Sequence, residues 1–504
     1  MNYLIGVDIG TQGTKTNLYD EQGRVVGSSF EASNLISPKT GEVYQEADEI
    51  FSSVINTVRD AVAASGVDVK QIRALGLDSQ MAGIMGIGKD FEAVTYYDSW
   101  LDTKCGKYIT EIKKKANKRS IELNGVPVTY THGPKVLWWK HEQPQTYSRI
   151  AKFVLPHIYV GGRLSGLKSD EAVIDHTCIH FSGFADNLNK AWSDELMETF
   201  DVSRDKLPQI ADPWKIVGGM KKVYAEACGL PEGLPIVAGC GDSAATCLGA
   251  GIVTPGQVFD VAGTASILSC CVDSYKPDTK HEAMMLMRSV VDGLWMPLAY
   301  INGGGLCLRW YKDSITGAVD YDTLEREATA VAPGSEGLLF VPHFAGRVCP
   351  NDPDMRGSFL GLNLTHKRGH MYRAIMEGIS YEYKYYLGVL RDIGIDTEIH
   401  KVFGMGGGAK SALFNQIKAD VLGLPYVPLQ NVDTAPLGSA IVAGYGVGVY
   451  SDIAATAASF IKAGAETAND PQRGVRYEPF AQAYLDSFEA LRGIYRALGG
   501  AVNG

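Results

Sequence analysis

MNYLIGVDIGTQGTKTNLYD (residues 1–20) reads as an apolar strand, a glycine-bearing turn and a second strand. Leu4, Ile5 and Val7 lead in, Asp8 stands where the chain turns, and residues 17–19 resume an extended run. Glycines at Gly10 and Gly13 suit a hairpin whose backbone must come close to another group. The hydroxyls of Thr11 and Thr14, with the N–H groups that glycine leaves bare, would suit phosphate oxygens. An acid at the mouth of such a turn could hold a divalent cation directly or through water. An ordinary hairpin with a polar turn fits the same residues, and this stretch alone leaves both readings open. Two familiar glycine loops are excluded. Lys15 follows Gly13 at the wrong spacing for G-x-x-x-x-G-K-[ST], and G-x-G-x-x-G is absent from a pattern that resumes as a strand.

The chain has 504 residues, too many for one core, so two large domains are expected. Its 45% hydrophobic and 21% charged residues suit a globular protein. A net charge of −10 argues against nucleic acid or a membrane surface as the main partner. No apolar run reaches about 18 residues. The N-terminus shows no basic, cleavable leader, so a cytoplasmic location is expected. The nine cysteines are scattered and form no C-x-x-C pair, which points to reduced thiols and no structural zinc.

Further along, residues 46–65 show helical spacing, with Ile50, Val54, Ile55, Val58 and Val62 on one face. A short buried strand over 72–77 runs into Asp78-Ser79-Gln80-Met81-Ala82-Gly83. Strand, strand, strand, helix, strand is the order of a ribonuclease-H-like domain half. Residues 158–166 read as a short apolar segment ending in a turn, and 234–241 as a strand entering a glycine turn. Asp242 follows at once and opens a helical stretch over 243–251. FDVAGTASIL (259–268) repeats the opening logic of strand, Gly-Thr turn and strand, which suggests two related halves facing each other. Helices are expected over 368–387, 411–422 and 436–447, the last rich in small residues. A terminal helix is expected over 481–498, starting just after Pro479. A hinge is expected near 249–256.

Seven stretches together carry a resemblance: VDIGTQGTK (7–15), VYQEADEIF (43–51), DSQMAG (78–83), GCGDSAATCLGAG (239–251), FDVAGTASIL (259–268), GSFLGLNLTHKRGHMYRAIMEG (357–378) and GMGGGAKSALFNQIKADVLGLPY (404–426). Over nearly its whole length the chain resembles the FGGY carbohydrate kinase family, and most of all its xylulokinase branch. The resemblance implies an α/β fold of two ribonuclease-H-like domains of the actin/hexokinase superfamily, with an active-site cleft between them. A sugar-binding domain over 1–248 and a nucleotide-binding domain over 249–504 would follow. It also implies ATP and Mg²⁺ as cofactors, a small sugar or polyol as partner and, since family members are often dimers, a homodimer.

The resemblance assigns roles residue by residue. Asp242 is the expected general base, although from its position alone it also reads as a helix N-cap. Asp8 would orient the metal. Thr11, Gly13, Thr14 and Lys15 would form the first phosphate loop, with Lys15 equally readable as a solvated charge. Gly263 and Thr264 would form the second loop. Gly407, Gly408 and Ala409 would approach the adenosine, and Gly304 either lines the same channel or makes a plain turn. Gln80, Met81, Ala82 and Asp102 would join Asp242 in holding the acceptor. Xylulokinases usually carry His where this chain has Ala82, which removes a hydrogen-bond donor and bears on which sugar is taken. Lys104 stands where Arg is frequent, and Trp139 where an aliphatic residue or Phe is usual. Trp100 and His157 read as packing residues. The alternatives are a family kinase of another sugar or polyol, and a non-catalytic ATP-switched protein on the same fold. Asp242 in its GCGD setting weighs against the second.

Overall fold

The computed structural model describes residues 1–263, 265–430 and 433–503. They divide into two compact units. One gathers Met1–Val253, Met287–Leu294 and Asp433–Ile461; the other gathers Thr254–Leu286, the described part of 295–432 and the chain from Lys462 on. The units therefore differ from a single cut after residue 248, although the first division falls inside the expected 249–256 stretch.

The first unit is built on β1 (Tyr3–Ile9), β2 (Gly13–Asp20) and β3 (Val25–Ala32), an antiparallel meander. Helix α1 (Ala47–Ser65) follows and buries Ile50, Val54, Val58, Ala61 and Val62 at helical spacing. Each fully buried aliphatic side chain of this kind stabilises by roughly 1.5–3 kcal/mol. The helix stops at Gly66, whose φ of 65° glycine adopts without strain. The chain then returns as β4 (Ile72–Ser79), parallel to β1. Helices α2 (His132–Glu142) and α3 (Pro156–Ser165) come next. The apolar segment expected at 158–166 is thus a helix, opened by Pro156 in its first turn and closed by Gly166. Strands β5 (Ile216–Gly219), β6 (Pro235–Val237) and β7 (Cys240–Gly241) complete a sheet of order β5-β6-β4-β1-β2-β3, with β7 also paired to β4. Helix α4 (Asp242–Gly249) leaves the end of β7.

The second unit repeats the arrangement. Strands β8 (Gln257–Ala262), β9 (Ser266–Cys270), β10 (Met285–Arg288, whose last two residues count with the first unit) and β11 (Trp295–Ile301) are followed by α5 (Gly304–Trp310) and the long α6 (Arg368–Asp392). Then come β12 (Lys401–Met405), α7 (Ala412–Leu422) and β13 (Tyr426–Pro428). The sheet order is β10-β11-β9-β8-β12-β13, with β12 parallel to β8 as β4 is to β1.

Helix α8 (Thr434–Gly446), the small-residue helix of the sequence, packs on the first sheet. Gly6 and Gly76 are register partners on β1 and β4. A methyl group on Gly6 would lie 1.8 Å from the Pro436 carbonyl oxygen, and one on Gly76 2.1 Å from that of Ser439. The helix backbone therefore rests directly on a pair of glycines. Its crossing with α4 is equally close, since a methyl on Gly438 would lie 2.0 Å from the Ala245 carbonyl.

The terminal helix α9 (Pro471–Asn503) begins well before the expected start and carries Pro479 inside it. Its first turns are anchored from within the same unit. Arg473 Nε donates to Asp420 at 2.6 Å, and the buried Tyr477 hydroxyl accepts from Arg373 at 2.6 Å. These contacts offset the backbone hydrogen bond that proline gives up. All nine cysteines are buried and none is in a disulfide. Among the described residues no helix is long and apolar enough to cross a membrane.

Candidate active site

Three acids converge where β1, β4 and β7 end. The parallel register sets Asp8 beside Asp78, and Cys240 beside Asp78 on its other side, two residues before Asp242. Asp78 is completely buried and accepts a hydrogen bond from Ser439 Oγ of α8 at 2.6 Å. Among the described residues its Oδ1 has no hydrogen-bond partner. Asp242 opens α4, and its Oδ1 accepts from the Ser243 N–H at 2.6 Å and the Ser243 hydroxyl at 3.2 Å. Burial, reinforced by the Asp8 charge, pushes the Asp242 carboxyl up to about 7 against these two donors. Burial likewise pushes Asp8 up to about 6, opposed by its hydrogen bond with Asp78 and helped by the Asp433 charge. Asp78 is held well above the usual carboxylate range by burial and by its acidic neighbours. Crowded acids with an unanswered oxygen are a donor set of the kind a hard divalent cation takes. The residues present fit Mg²⁺.

The loop expected to meet phosphate splits by strand alternation. Thr14 is buried, and its hydroxyl bonds Ser53 of α1 at 2.7 Å. It faces the core rather than the acids, which departs from its expected phosphate role. Lys15, in register with Asp8, faces the other way and lies 3.7 Å from Asp433. Gly13 serves packing, because a methyl there would lie 2.4 Å from the Phe30 ring. The Thr11 hydroxyl donates to Gln80 Oε1 at 3.1 Å and accepts from Trp100 Nε1 at 2.8 Å, so it joins the 80–83 loop, the one expected to hold the acceptor.

That loop is tightly determined. Gln80 Nε2 donates to Gln45 Oε1 at 2.6 Å. Met81 packs on Gly241, where a methyl group would lie 2.4 Å from its sulfur. Ala82 holds a left-handed φ of 62°, a conformation costly for any residue but glycine. Lys135 of α2, fully buried, secures it by donating to the Ala82 and Tyr130 carbonyls at 3.2 and 2.7 Å. Asp102 is fully buried and accepts from the backbone of Val43 and Lys104 at 3.0 and 3.2 Å and from Lys104 Nζ at 3.3 Å. Lys104 also bonds Asp98, which accepts from Trp139 Nε1 at 2.5 Å. The two departures from the family pattern, Lys104 and Trp139, thus meet on one carboxylate.

Of the second-unit glycines expected at the nucleotide, Gly407 and Gly263 are the open ones. A methyl on Gly407 would meet nothing within 4 Å, and one on Gly263 only the Ala265 carbonyl at 3.8 Å. Gly408 and Gly304 are packing positions, their added methyls lying 2.5 Å from the Ala262 side chain and 2.4 Å from Ser266 Oγ. Ala409 is buried beside them, and its carbonyl accepts from Asn415 at 2.8 Å. Thr264 lies outside the described residues. The echo of the N-terminal loop is not chemical. Asp260, on β8, is buried against the Tyr383 and Tyr426 hydroxyls at 2.7 Å each and against Lys418.

Sequence reasoning missed Asp78, whose signal was an acid at the end of a second parallel strand. It also missed a buried chain in which His157 bonds Ser79 at 2.7 Å and Asp175 at 3.0 Å. Asp175 holds Thr177, whose Oγ accepts from the Gly241 N–H at 3.0 Å, just before Asp242.

Two family models match the chain. "FGGY family of carbohydrate kinases, N-terminal domain" covers residues 3–249, and the corresponding C-terminal domain covers 261–447. Among curated proteins, the chain is 27% identical to a xylulose kinase of Bacillus subtilis (strain 168), covering 99% of each chain. It is 28% identical to a gluconokinase of the same organism, over 89% of this chain and 88% of that one. Among solved structures, a ligand-bound xylulose kinase from Lactobacillus acidophilus superposes with a TM-score of 0.92 at 24% identity, over 99% of this chain and all of that one, and so shares the fold.

Proposed function

Because the chain belongs to the FGGY family of carbohydrate kinases, we propose that it transfers the terminal phosphoryl group of ATP to a terminal hydroxyl of a small ketose or polyol, with D-xylulose to D-xylulose 5-phosphate the first candidate. The observation that carries this reading is Asp242, a carboxylate near pKa 7 at a helix start, beside two further acids. Such a group can take a hydroxyl proton at neutral pH, as phosphoryl transfer to an alcohol requires. The Ser243 N–H fixes one carboxylate oxygen and leaves the other for the acceptor. Asp8 and Asp78 would hold the metal, and Lys15 would meet phosphate. Gly263, Gly407 and Ala409 would receive the nucleotide. Bound Mg²⁺–ATP supplies the phosphoryl group and offsets the charge that develops on it.

The test is ADP release across ketopentoses, ketohexoses, aldoses, linear polyols and D-gluconate. Turnover on D-xylulose supports the first candidate, and turnover on gluconate alone moves the assignment toward the gluconokinase relative. Silence on every acceptor with ATP still bound would favour an ATP-switched protein.

Gly407→Val is expected to weaken ATP binding ~10-fold or more while leaving the melting temperature nearly unchanged, because a Cβ there meets no described atom within 4 Å. Unchanged ATP affinity by calorimetry would remove the nucleotide from that loop. Gly408→Val is the poorer probe, since it strikes Ala262 first.

A metal prediction follows from the raised carboxyls. Groups whose proton affinity rises on folding stabilise the fold below their unfolded pKa, and this is lost as pH climbs through the folded value. For Asp8 that loss spans about pH 4 to 6, and for Asp78, held higher by burial and its acidic neighbours, it extends further up. Mg²⁺ at ~10 mM is therefore expected to raise the melting temperature by a few degrees at pH 8 and hardly at pH 5. Equal shifts at both pH values would take the metal away from these acids.

A further inference from the structure

Around the acceptor loop the first unit buries four histidines, His132, His157, His176 and His180. His157 has both ring nitrogens answered, by Ser79 and Asp175. His180 has neither answered among the described residues, and His132 lacks a partner at Nε2. Both flank Phe181, His180 at 4.4 Å between ring centroids and His132 edge-on at 6.0 Å. Burial pushes His180 down to about 3, and the nearby Arg288 charge acts in the same direction against Asp175. Its ring is therefore neutral, with one N–H donor and one lone pair in a place that water does not freely reach. An unanswered buried polar group is costly, and two on one ring call for a partner.

Contacts tie these rings to the acceptor machinery. Thr177, three residues before His180, holds the Gly241 N–H next to Asp242. Gly133, beside His132, touches the far end of the same segment, where a methyl group would lie 2.6 Å from the Ser182 carbonyl. Two residues on, Lys135 holds the Ala82 carbonyl. The segments that carry His180 and His132 are thus tied to the Asp242 end and to the Met81-Ala82 loop.

Resting on the kinase reading above, we propose that His180 and His132 are the specificity-determining pair of the acceptor site. Their ring nitrogens exchange hydrogen bonds with hydroxyl groups of an uncharged ketose or polyol, in place of the loop donor that Ala82 cannot supply. The charge arrangement disfavours an aldonate. Lys135 is committed to two carbonyls, Lys104 to Asp98 and Asp102, and Arg288 donates to the carbonyls of Asn187 and Leu188. A neutral imidazole answers a hydroxyl well and a carboxylate poorly.

The test uses the full chain, the acceptor that the wild type turns over best and a set of its monodeoxy analogues. His180→Leu is expected to lower kcat/KM ~30-fold on the full acceptor, chiefly through KM, because a site built to bond a hydroxyl suffers when the bond is lost. His180→Gln, which keeps a donor and an acceptor, should recover most of it. On the one analogue lacking the gripped hydroxyl, wild type and His180→Leu should converge. An equal loss on every analogue, or an unchanged KM, overturns the proposal, as does a wild type that prefers gluconate. If His180→Leu does not fold, the wild type and His180→Gln across the analogues decide the matter by the same pattern of losses. A wild type silent on all acceptors overturns the kinase reading itself, a result distinct from each of these.

Discussion

Asp242→Asn is expected to lower turnover by ~10²–10⁴-fold, the range for losing a general base, while ATP affinity stays close to that of the wild type. The amide is nearly isosteric with the carboxylate. Its oxygen can still accept from the Ser243 N–H, so the start of α4 stays in place. What the amide cannot do is take a proton. The wild type should also show kcat/KM rising with pH through a midpoint near 7, where Asp242 is half ionised, and levelling above it. That limb should vanish in the variant. Turnover within about tenfold of the wild type, with the limb intact, would transfer the role to another group. Asp8 and Asp78, the proposed metal ligands, are the control positions, since losing either should affect the Mg²⁺ dependence as well as the rate.

Gly76→Val is expected to be the most damaging substitution for the fold. The new side chain would start 2.1 Å from the Ser439 carbonyl oxygen and 2.8 Å from its carbon, both of them backbone atoms of α8. The helix must lift, and the 2.6 Å bond from Ser439 to Asp78 goes with it. Overpacking of this kind costs about 3 kcal/mol or more, a large part of a stability of roughly 5–15 kcal/mol. The expected readout is a melting temperature lower by roughly 6–12 °C, or loss of soluble protein. Gly388→Ala is the contrast, because it lies within α6 and its added methyl meets nothing within 4 Å. It should be neutral or stabilising by up to about 1 kcal/mol. Equal melting temperatures for Gly76→Val and the wild type would mean that α8 does not rest on the glycine pair.

Much of the architecture was legible because its signals are local. The opening hairpin, the helix after it and the strand–glycine–Asp242 passage each carry their own turn chemistry, and each forms as the pattern demands. What was not legible depends on register. Asp78 sits inside a buried strand run and looks structural until β4 is laid beside β1. Thr14 and Lys15 looked alike as phosphate ligands, yet neighbours on a strand face opposite ways, so one turns to Ser53 and the other toward Asp433. Gly407 and Gly408 are adjacent in sequence, and only the position of Ala262 separates the open one from the packed one. His180 gave no signal at all, since a lone histidine in an irregular stretch has no periodicity to report.

The seating of α8 on the first sheet has a consequence for how the chain is made. A ribosome delivers β1 to β7 long before residues 434–446 emerge, so the glycine face of β1 and β4 must wait uncovered while the second unit is synthesised. Asp78 waits with it for Ser439. The nascent first half is therefore an unfinished module, and a fragment ending at residue 253 would carry a bare sheet into solution. Supplied in trans, a peptide spanning residues 433–461 would be the missing piece.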